Sequence, residues 1–313
     1  MRIVFIGTGE IGVPVLRSLL SSPQHQLVGV VTQPDKPAGR DLRTAAPPIK
    51  TAMAGEALSI FQPARIKGEG AVAEIRALAP DVIVVMAYGQ ILPQSVLEIP
   101  RVACLNLHAS LLPWHRGAAP IQAAILAGDR DSGITVMYMD EGLDTGDILL
   151  HSRLELGADE TGGSLHDRLA QIAPAALDEA LIHLQTGNAP RIPQDSSIAT
   201  YAPKLEREDG RIDWSEAAAL IERKIRAFDP WPGAFTLIRD SAGRKRKLKI
   251  LSATVMRAAQ SAPGEVVRSD GSIVIAAKDG ALSLGEVQLE GKRRMKAAEF
   301  LRGHAGSIHI ANA

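Results

Sequence analysis

Four apolar runs set apart by helical spacing constrain this chain more than any other feature. Arg2–Ile6, Leu27–Thr32, Asp81–Ala87 (DVIVVMA) and Val102–Leu107 are continuous rather than alternating. Val13, Val15, Leu16, Leu19 and Leu20 follow the first run at helical spacing, and the helical stretch Gly70–Leu78 precedes the third. A strand that is apolar on both faces must be covered on both. Such strands alternating with helices give a parallel sheet packed between helices. Ile121–Ala127 reads as another helix and Ile134–Asp140 as a further strand. Ser164–Leu184 carries Leu165, Leu169, Ile172, Ala176, Leu177, Ala180, Leu181 and Leu184 at helical spacing and stops at Gly187-Asn188.

Beyond this point the pattern changes. Ala189–Arg207 has no clear period, carries Pro190, Pro193 and Pro203, and reads as a linker. Glu216–Ala227 is helical in spacing. Short strand-like runs follow at Ala234–Ile238, Leu248–Leu251, Gly264–Arg268, Ser272–Ala276 and Ala281–Val287, punctuated by Gly and Asp. A small β-rich domain, a barrel, is expected there. The domains are therefore set at 1–189 and 208–313 with a linker at 190–207, in keeping with the roughly two domains that 313 residues imply.

Charge follows the same boundary. The whole chain balances 35 Lys+Arg against 35 Asp+Glu, which taken alone argues against a nucleic-acid binder. Residues 205–313, however, hold 19 Lys+Arg against 14 Asp+Glu, a balance of +5, and residues 1–204 carry −5. The single cysteine, Cys104, excludes a disulfide framework and a cysteine-based zinc site. No basic segment followed by an apolar segment opens the chain, and no stretch reaches 18 apolar residues. A cytoplasmic protein with no membrane partner is expected.

Gly7-Thr8-Gly9-Glu10-Ile11-Gly12 matches G-x-G-x-x-G between a strand and a helix, the context of dinucleotide binding. That motif wants an acid at the end of the second strand, and here the strand ends Val30-Val31-Thr32-Gln33. A tight turn with close packing is the better reading. A nicotinamide-dependent oxidoreductase remains the alternative that a cofactor titration would test.

The fourth apolar run continues into Asn106-Leu107-His108-Ala109-Ser110. In extended chain Asn106 and His108 share a face, at the strand end where open α/β sheets place their sites. The next strand leads to Asp140-Glu141-Gly142-Leu143-Asp144-Thr145-Gly146-Asp147, and the two strand ends would set Asp144 beside His108. Asn donates to a developing oxyanion, His donates or relays a proton, and Asp orients and charges the His. A lone His would read as a half-buried core residue; the three together favour catalysis. The acids lack calcium-loop spacing, and no metal is expected. Arg116 reads equally as an anion clamp or as a surface arginine.

The stretch Asn106–Gln122 (NLHASLLPWHRGAAPIQ) and the stretch Gly133–Ile148 (GITVMYMDEGLDTGDI) resemble the folate-dependent formyltransferases. Thr32-Gln33-Pro34-Asp35-Lys36-Pro37-Ala38-Gly39-Arg40, with Tyr201–Leu205, Arg211–Trp214 and Ile225–Ala234, makes the likeness one to the methionyl-tRNA formyltransferase family over nearly the whole chain. The resemblance implies a Rossmann-like formyltransferase domain followed by an OB-like β-barrel domain. It implies 10-formyltetrahydrofolate as co-substrate, initiator methionyl-tRNA as acceptor, a role in translation initiation, a monomer, and Asn106, His108 and Asp144 as catalytic residues. By family position the pterin slot falls on Met86, Ala87, Tyr88, Gly89, Ile91, Leu92 and Val136–Asp140, and the glutamate tail on Ser110, Leu111, Leu112 and Pro113. Tyr88 and Leu92 read equally as core residues. For tRNA the resemblance points to Lys36, Arg40 and Arg43 in a loop that runs to Lys50 and lacks the family's Lys-rich stretch. The runs Arg244–Lys249, with Lys245, Arg246 and Lys247, and Lys292–Lys296 are candidate phosphate contacts. Sugar-nucleotide formyltransferases share the chemistry and the W-P-G-A stretch; they lack P-D-x-P-A-G-R.

Overall fold

The computed structural model describes residues 1–38, 43–239, 243–257, 261–269, 272–303 and 309–310. The chain forms two compact units, Met1–Pro120 with Asp131–Glu155 and His166–Pro203, and Ile121–Arg130 with Leu156–Leu165 and Lys204–Ala313.

The first unit is built on seven strands: β1 (Arg2–Gly7), β2 (Gln26–Val31), β3 (Ile60–Phe61), β4 (Val82–Met86), β5 (Ala103–His108), β6 (Asp131–Tyr138) and β7 (Ile148–Glu155). Their spatial order is β7-β6-β5-β4-β1-β2-β3. The five strands from β5 to β3 run parallel. Ile3–Ile6 and Val82–Met86 are buried throughout, as continuous apolar runs require of a sheet covered on both faces. Helix α1 (Val13–Ser21) buries Val15, Leu16 and Leu19, and α2 (Glu69–Ala77) buries Ile75. α3 (Pro120–Ala127), which belongs to the second unit from Ile121 on, ends at Gly128, and α4 (Gly162–Thr186), which belongs to this unit from His166 on, ends at Gly187; both glycines take the left-handed conformation that closes a helix.

Two features differ from the sequence reading. β6 runs antiparallel to β5, and β7 returns antiparallel to β6 as an edge strand. Asp144 is therefore brought to His108 by a hairpin loop, not by the end of a parallel strand. The aperiodic residues 190–203 are bonded to the first unit. Ile192 exchanges backbone hydrogen bonds with Ile148, and Tyr201–Ala202 pairs in parallel with Arg116–Gly117.

The glycine motif packs tightly. A Cβ on Gly7 would sit 2.7 Å from the Phe5 ring and 2.8 Å from the Met86 carbonyl. The Thr8 and Gly9 N–H groups both donate to the Ala87 carbonyl, so these donors serve the junction of β1 and β4.

Among the described residues the second unit contains α5 (Ala218–Ala227) and seven antiparallel strands: β8 (Phe235–Arg239), β9 (Lys245–Met256), β10 (Val266–Ser269), β11 (Ser272–Ala276), β12 (Ala281–Leu289), β13 (Met295–Lys296) and β14 (His309–Ile310). The order is β10-β11-β12-β9-β8-β14, with β13 added to β12. Ile221 and Ile225 of α5, one turn apart, join Trp214, Leu248, Ile250, Ile273, Leu282 and Phe300 in its core. Among the described residues no helix is long and apolar enough to cross a membrane.

Candidate active site

Strand alternation places Asn106 and His108 on one face of β5, as the sequence suggests. The loop between β6 and β7 folds back over that face. Asp144 sits at its turn with φ +54°, a left-handed conformation that an aspartate adopts more readily than most residues. Its carboxylate is the hub. Oδ1 accepts from Asn106 Nδ2 at 3.3 Å, and Oδ2 accepts from the Gly117 N–H at 2.8 Å. Oδ2 also faces His108 Nδ1 at 3.6 Å, longer than a working hydrogen bond. The other ring nitrogen, Nε2, lies 2.9 Å from the His115 carbonyl, which can only accept. Both nitrogens of the buried His108 ring therefore face oxygen acceptors.

The segment after β5 is tied down residue by residue. Ser110 Oγ donates to the Trp114 carbonyl, Thr135 Oγ1 donates to the Ser110 carbonyl, and the Leu112 N–H donates back to Thr135 Oγ1. His151 Nε2 donates to the Leu112 carbonyl at 3.0 Å; burial holds its imidazole below the ordinary value. His115 has φ +59°, and its N–H donates to Thr200 Oγ1. Gly117 has φ +114°, and a Cβ there would sit 2.6 Å from the Ala202 carbonyl, so only glycine fits. Arg116 is not a surface arginine. It is 1% exposed, and its guanidinium donates to Gln194 Oε1. Gln194, Thr200 and the Gly117 N–H are absent from the sequence reading. Their partners lie up to 85 residues away, and the Pro-flanked stretch around Gln194 has no period to mark it.

The residues expected for the pterin divide by exposure. The side chains of Met86, Tyr88, Leu92 and Val136 are buried, and Tyr88 and Leu92 belong to the core with Val4, Ile6 and Val31. In this conformation these side chains pack inside the unit and do not face solvent. Burial pushes the Tyr88 hydroxyl up to about 12, and it has no hydrogen-bond partner among the described residues. Ala87, Gly89, Ile91 and Asp140 are exposed, while Ser110, Leu111, Leu112 and Pro113 are buried.

Arg40 lies outside the described residues, and of Arg43 only the backbone is described. Lys36–Ala38 and Arg43–Ala45 pair as a short antiparallel ribbon. At its base Gln62 donates to Asp35 at 2.8 Å and Lys50 pairs with the same carboxylate at 2.8 Å; together they hold Asp35 below the usual carboxylate range. Lys36 donates to Gln33 Oε1, and Gln33 in turn donates to the Tyr88 carbonyl at 2.6 Å. The insertion is thus anchored to the end of β4.

In the second unit the run Lys245–Lys249 is not one continuous patch. Alternation along β9 puts Lys245, Lys247 and Lys249 on one face, and Arg246 reaches the Glu290 carbonyl at 2.9 Å. Lys247 lies over the Phe235 ring at 3.5 Å and faces Glu208 at 3.6 Å. In the second basic run Arg293 pairs with Glu299 and Arg294 with Glu286.

The fold is shared over most of the chain with a sugar 3N-formyl transferase, WlaRD (TM-score 0.65, 16% identity, 94% of this chain and 99% of that one). It is also shared with HypX from Aquifex aeolicus, solved with tetrahydrofolic acid (TM-score 0.64, 20% identity); the match takes in 99% of this chain and 48% of that one. Residues 1–181 match the family described as "Formyl transferase" and residues 204–305 the "Formyl transferase, C-terminal domain". Sequence identity runs much higher to a methionyl-tRNA formyltransferase of Methylacidiphilum infernorum: 46% over 305 residues, 97% of this chain and 95% of the relative. With both domains matched and that identity sustained along almost the entire length, the chain belongs to the methionyl-tRNA formyltransferase family.

Proposed function

We propose that this protein transfers the formyl group of 10-formyltetrahydrofolate to the α-amino group of methionine esterified to initiator tRNA. The observation that carries the chemistry is the Asp144 carboxylate set between Asn106 and His108. The acceptor follows from the 46% identity with a methionyl-tRNA formyltransferase across both domains.

A free α-amino group has a pKa of about 7.7–8.0, and esterification of its carboxyl lowers it, so much of the nucleophile is neutral near pH 7. The enzyme has little to do in activating it; orientation and charge management carry the rate. The amine nitrogen attacks the formyl carbon, and the carbonyl electrons move onto its oxygen. Asn106 Nδ2 and His108 Nδ1 are the donors for that oxyanion. Their contacts to Asp144, at 3.3 and 3.6 Å, are the long ones that substrate would reorganise. Asp144 holds the positive charge on His108 and takes part in moving the amine's proton to the leaving folate nitrogen. The bond from the formyl carbon to that nitrogen then breaks, giving the formamide and tetrahydrofolate. Ser110–Pro113, fixed by Thr135 and His151, support the folate tail. The ribbon anchored on Asp35 carries Lys36 and Arg43, which together with Arg40 are assigned to the tRNA, and Lys245, Arg246 and Lys247 contribute phosphate contacts from the second unit.

The test is acceptor identity. With labelled donor, label should pass to methionyl initiator tRNA and neither to elongator tRNA nor to a nucleotide-linked amino sugar. Transfer to the amino sugar alone would replace this reading with the sugar-nucleotide one.

A further inference from the structure

We infer that Gln194 is a positioning residue for the reaction. Its amide, oriented by the buried Arg116, fixes the left-handed turn that aims Asp144 at His108. The inference rests on the reading of Asp144 as a catalytic residue.

The hydrogen bonds around Gln194 use every polar position of its side chain. Nε2 has two N–H groups, and they donate to the carbonyls of Asp144 and Gly146, both at 2.8 Å. Oε1 accepts from Arg116 Nε at 3.0 Å and from Nη2 at 2.8 Å. The guanidinium is a fixed fork of donors, so it leaves no choice about which end of the amide faces the loop. Ser196 Oγ lies 3.5 Å from the same Nη2.

The amide spans the residue that needs it. Asp144 has φ +54°, and the carbonyls held by Gln194 are its own and that of Gly146 two residues on. A backbone in this region must be held by its surroundings. The carboxylate is held separately by Gly117 N–H, next in sequence to Arg116. One dipeptide, Arg116-Gly117, therefore governs both ends of Asp144: the side chain directly and the main chain through Gln194. Gln194 itself is set in place on both sides. Ile192 bridges to Ile148, and Asp195 accepts from the Ser197 N–H and hydroxyl in a tight turn.

A glutamate at 194 could satisfy Arg116 but would aim oxygen lone pairs at two carbonyl oxygens. Only an amide meets both demands, which makes Gln194→Glu the informative change. It keeps size and the partner of the buried guanidinium while releasing the loop. Gln194→Met removes all four bonds without adding charge.

The experiment measures kcat and KM for formyl transfer in both variants, alone and combined with Asp144→Asn, with thermal melts as the check on folding. The expected result is a kcat lower by about tenfold to a hundredfold, the scale of a misplaced catalytic group, with KM for either substrate changed less than about threefold. In the Asp144→Asn background the same changes should lower kcat by less than about threefold, because a residue that acts through Asp144 has nothing left to position. Wild-type kcat in a folded Gln194→Met protein would overturn the inference. So would a full, additive loss in the Asp144→Asn background. An Asp144→Asn protein as active as wild type would instead overturn the catalytic reading beneath it.

Discussion

Replacing Asp144 by asparagine keeps the shape of the side chain and removes its charge. Two losses follow from the geometry. The carboxylate accepts from Asn106 on one oxygen and from the Gly117 N–H on the other. An amide must turn its NH2 end toward one of these donors, and the 2.8 Å Gly117 bond would keep the oxygen, leaving Asn106 opposed by a donor. The second loss is electrostatic. Asp144 is 15% exposed and lies 3.6 Å from a His108 that is 6% exposed. At an effective dielectric constant of about 20, unit charges about 4 Å apart attract by roughly 4 kcal/mol. Loss of a single oxyanion donor costs about 2.7–4 kcal/mol. The two share one transition state and do not add, so we take about 3 kcal/mol, roughly a hundredfold in kcat. Single-turnover transfer from 10-formyltetrahydrofolate to methionyl initiator tRNA reads that rate, with a donor-binding titration to show that KM is not the cause. A rate within about threefold of wild type would refute the assignment of Asp144 as the charge partner of His108.

Three other outcomes follow from the structure. Replacing Lys245 and Lys247 by alanine should weaken tRNA binding and flatten its salt dependence, by about 0.9 in logarithmic slope for each phosphate no longer neutralised; an unchanged slope removes these residues from the interface. Gly7→Ala brings a Cβ within 2.8 Å of the Met86 carbonyl and should destabilise the fold by about 1–3 kcal/mol in denaturant titration, without a specific effect on substrate binding. The Arg2 N–H, foremost, and Arg101 hold the Asp81 carboxyl below its usual value. A depressed folded-state value means the group stabilises the protein above pH ~4, its unfolded range, and that this contribution disappears as pH falls through the folded value. Asp81→Asn should therefore narrow the stability difference between pH 7 and pH 3 seen in wild type, and an identical pH profile would exclude the role.

What the sequence disclosed depended on whether the signal was local. β1, β2, β4 and β5 are legible because strands buried on both faces must be largely apolar, and Gly187 marks a helix end because glycine adopts that backbone at least cost. Asn106 and His108 share a face by strand alternation, which two letters in a sequence suffice to show. β7 was not visible: Ile148–Glu155 is an edge strand, half exposed, and its ILLHSRLE breaks both the apolar run and the clean alternation. The direction of β6 has no signature in its residues, since Val136 and Met137 would be buried in either sense. Gln194 was invisible for a different reason. Its four bonds reach residues 48 to 78 positions away, and side chain to backbone contacts of that range leave no period. The basic runs show how a local signal is divided by the fold. Consecutive charges look like one patch, but a strand divides them between faces and neighbouring acids take Arg293 and Arg294.

If Asn106, His108 and Asp144 carry out formyl transfer to methionyl-tRNA, removing one of them must slow the chemical step. The single-turnover rate with methionyl initiator tRNA, measured side by side for wild type and His108→Ala at saturating donor, reads that step. Transfer by the wild type is expected, with a rate lower by about a hundredfold or more in the variant, while donor binding is retained and the variant stays folded at the assay temperature. Equal rates in the two proteins would contradict it.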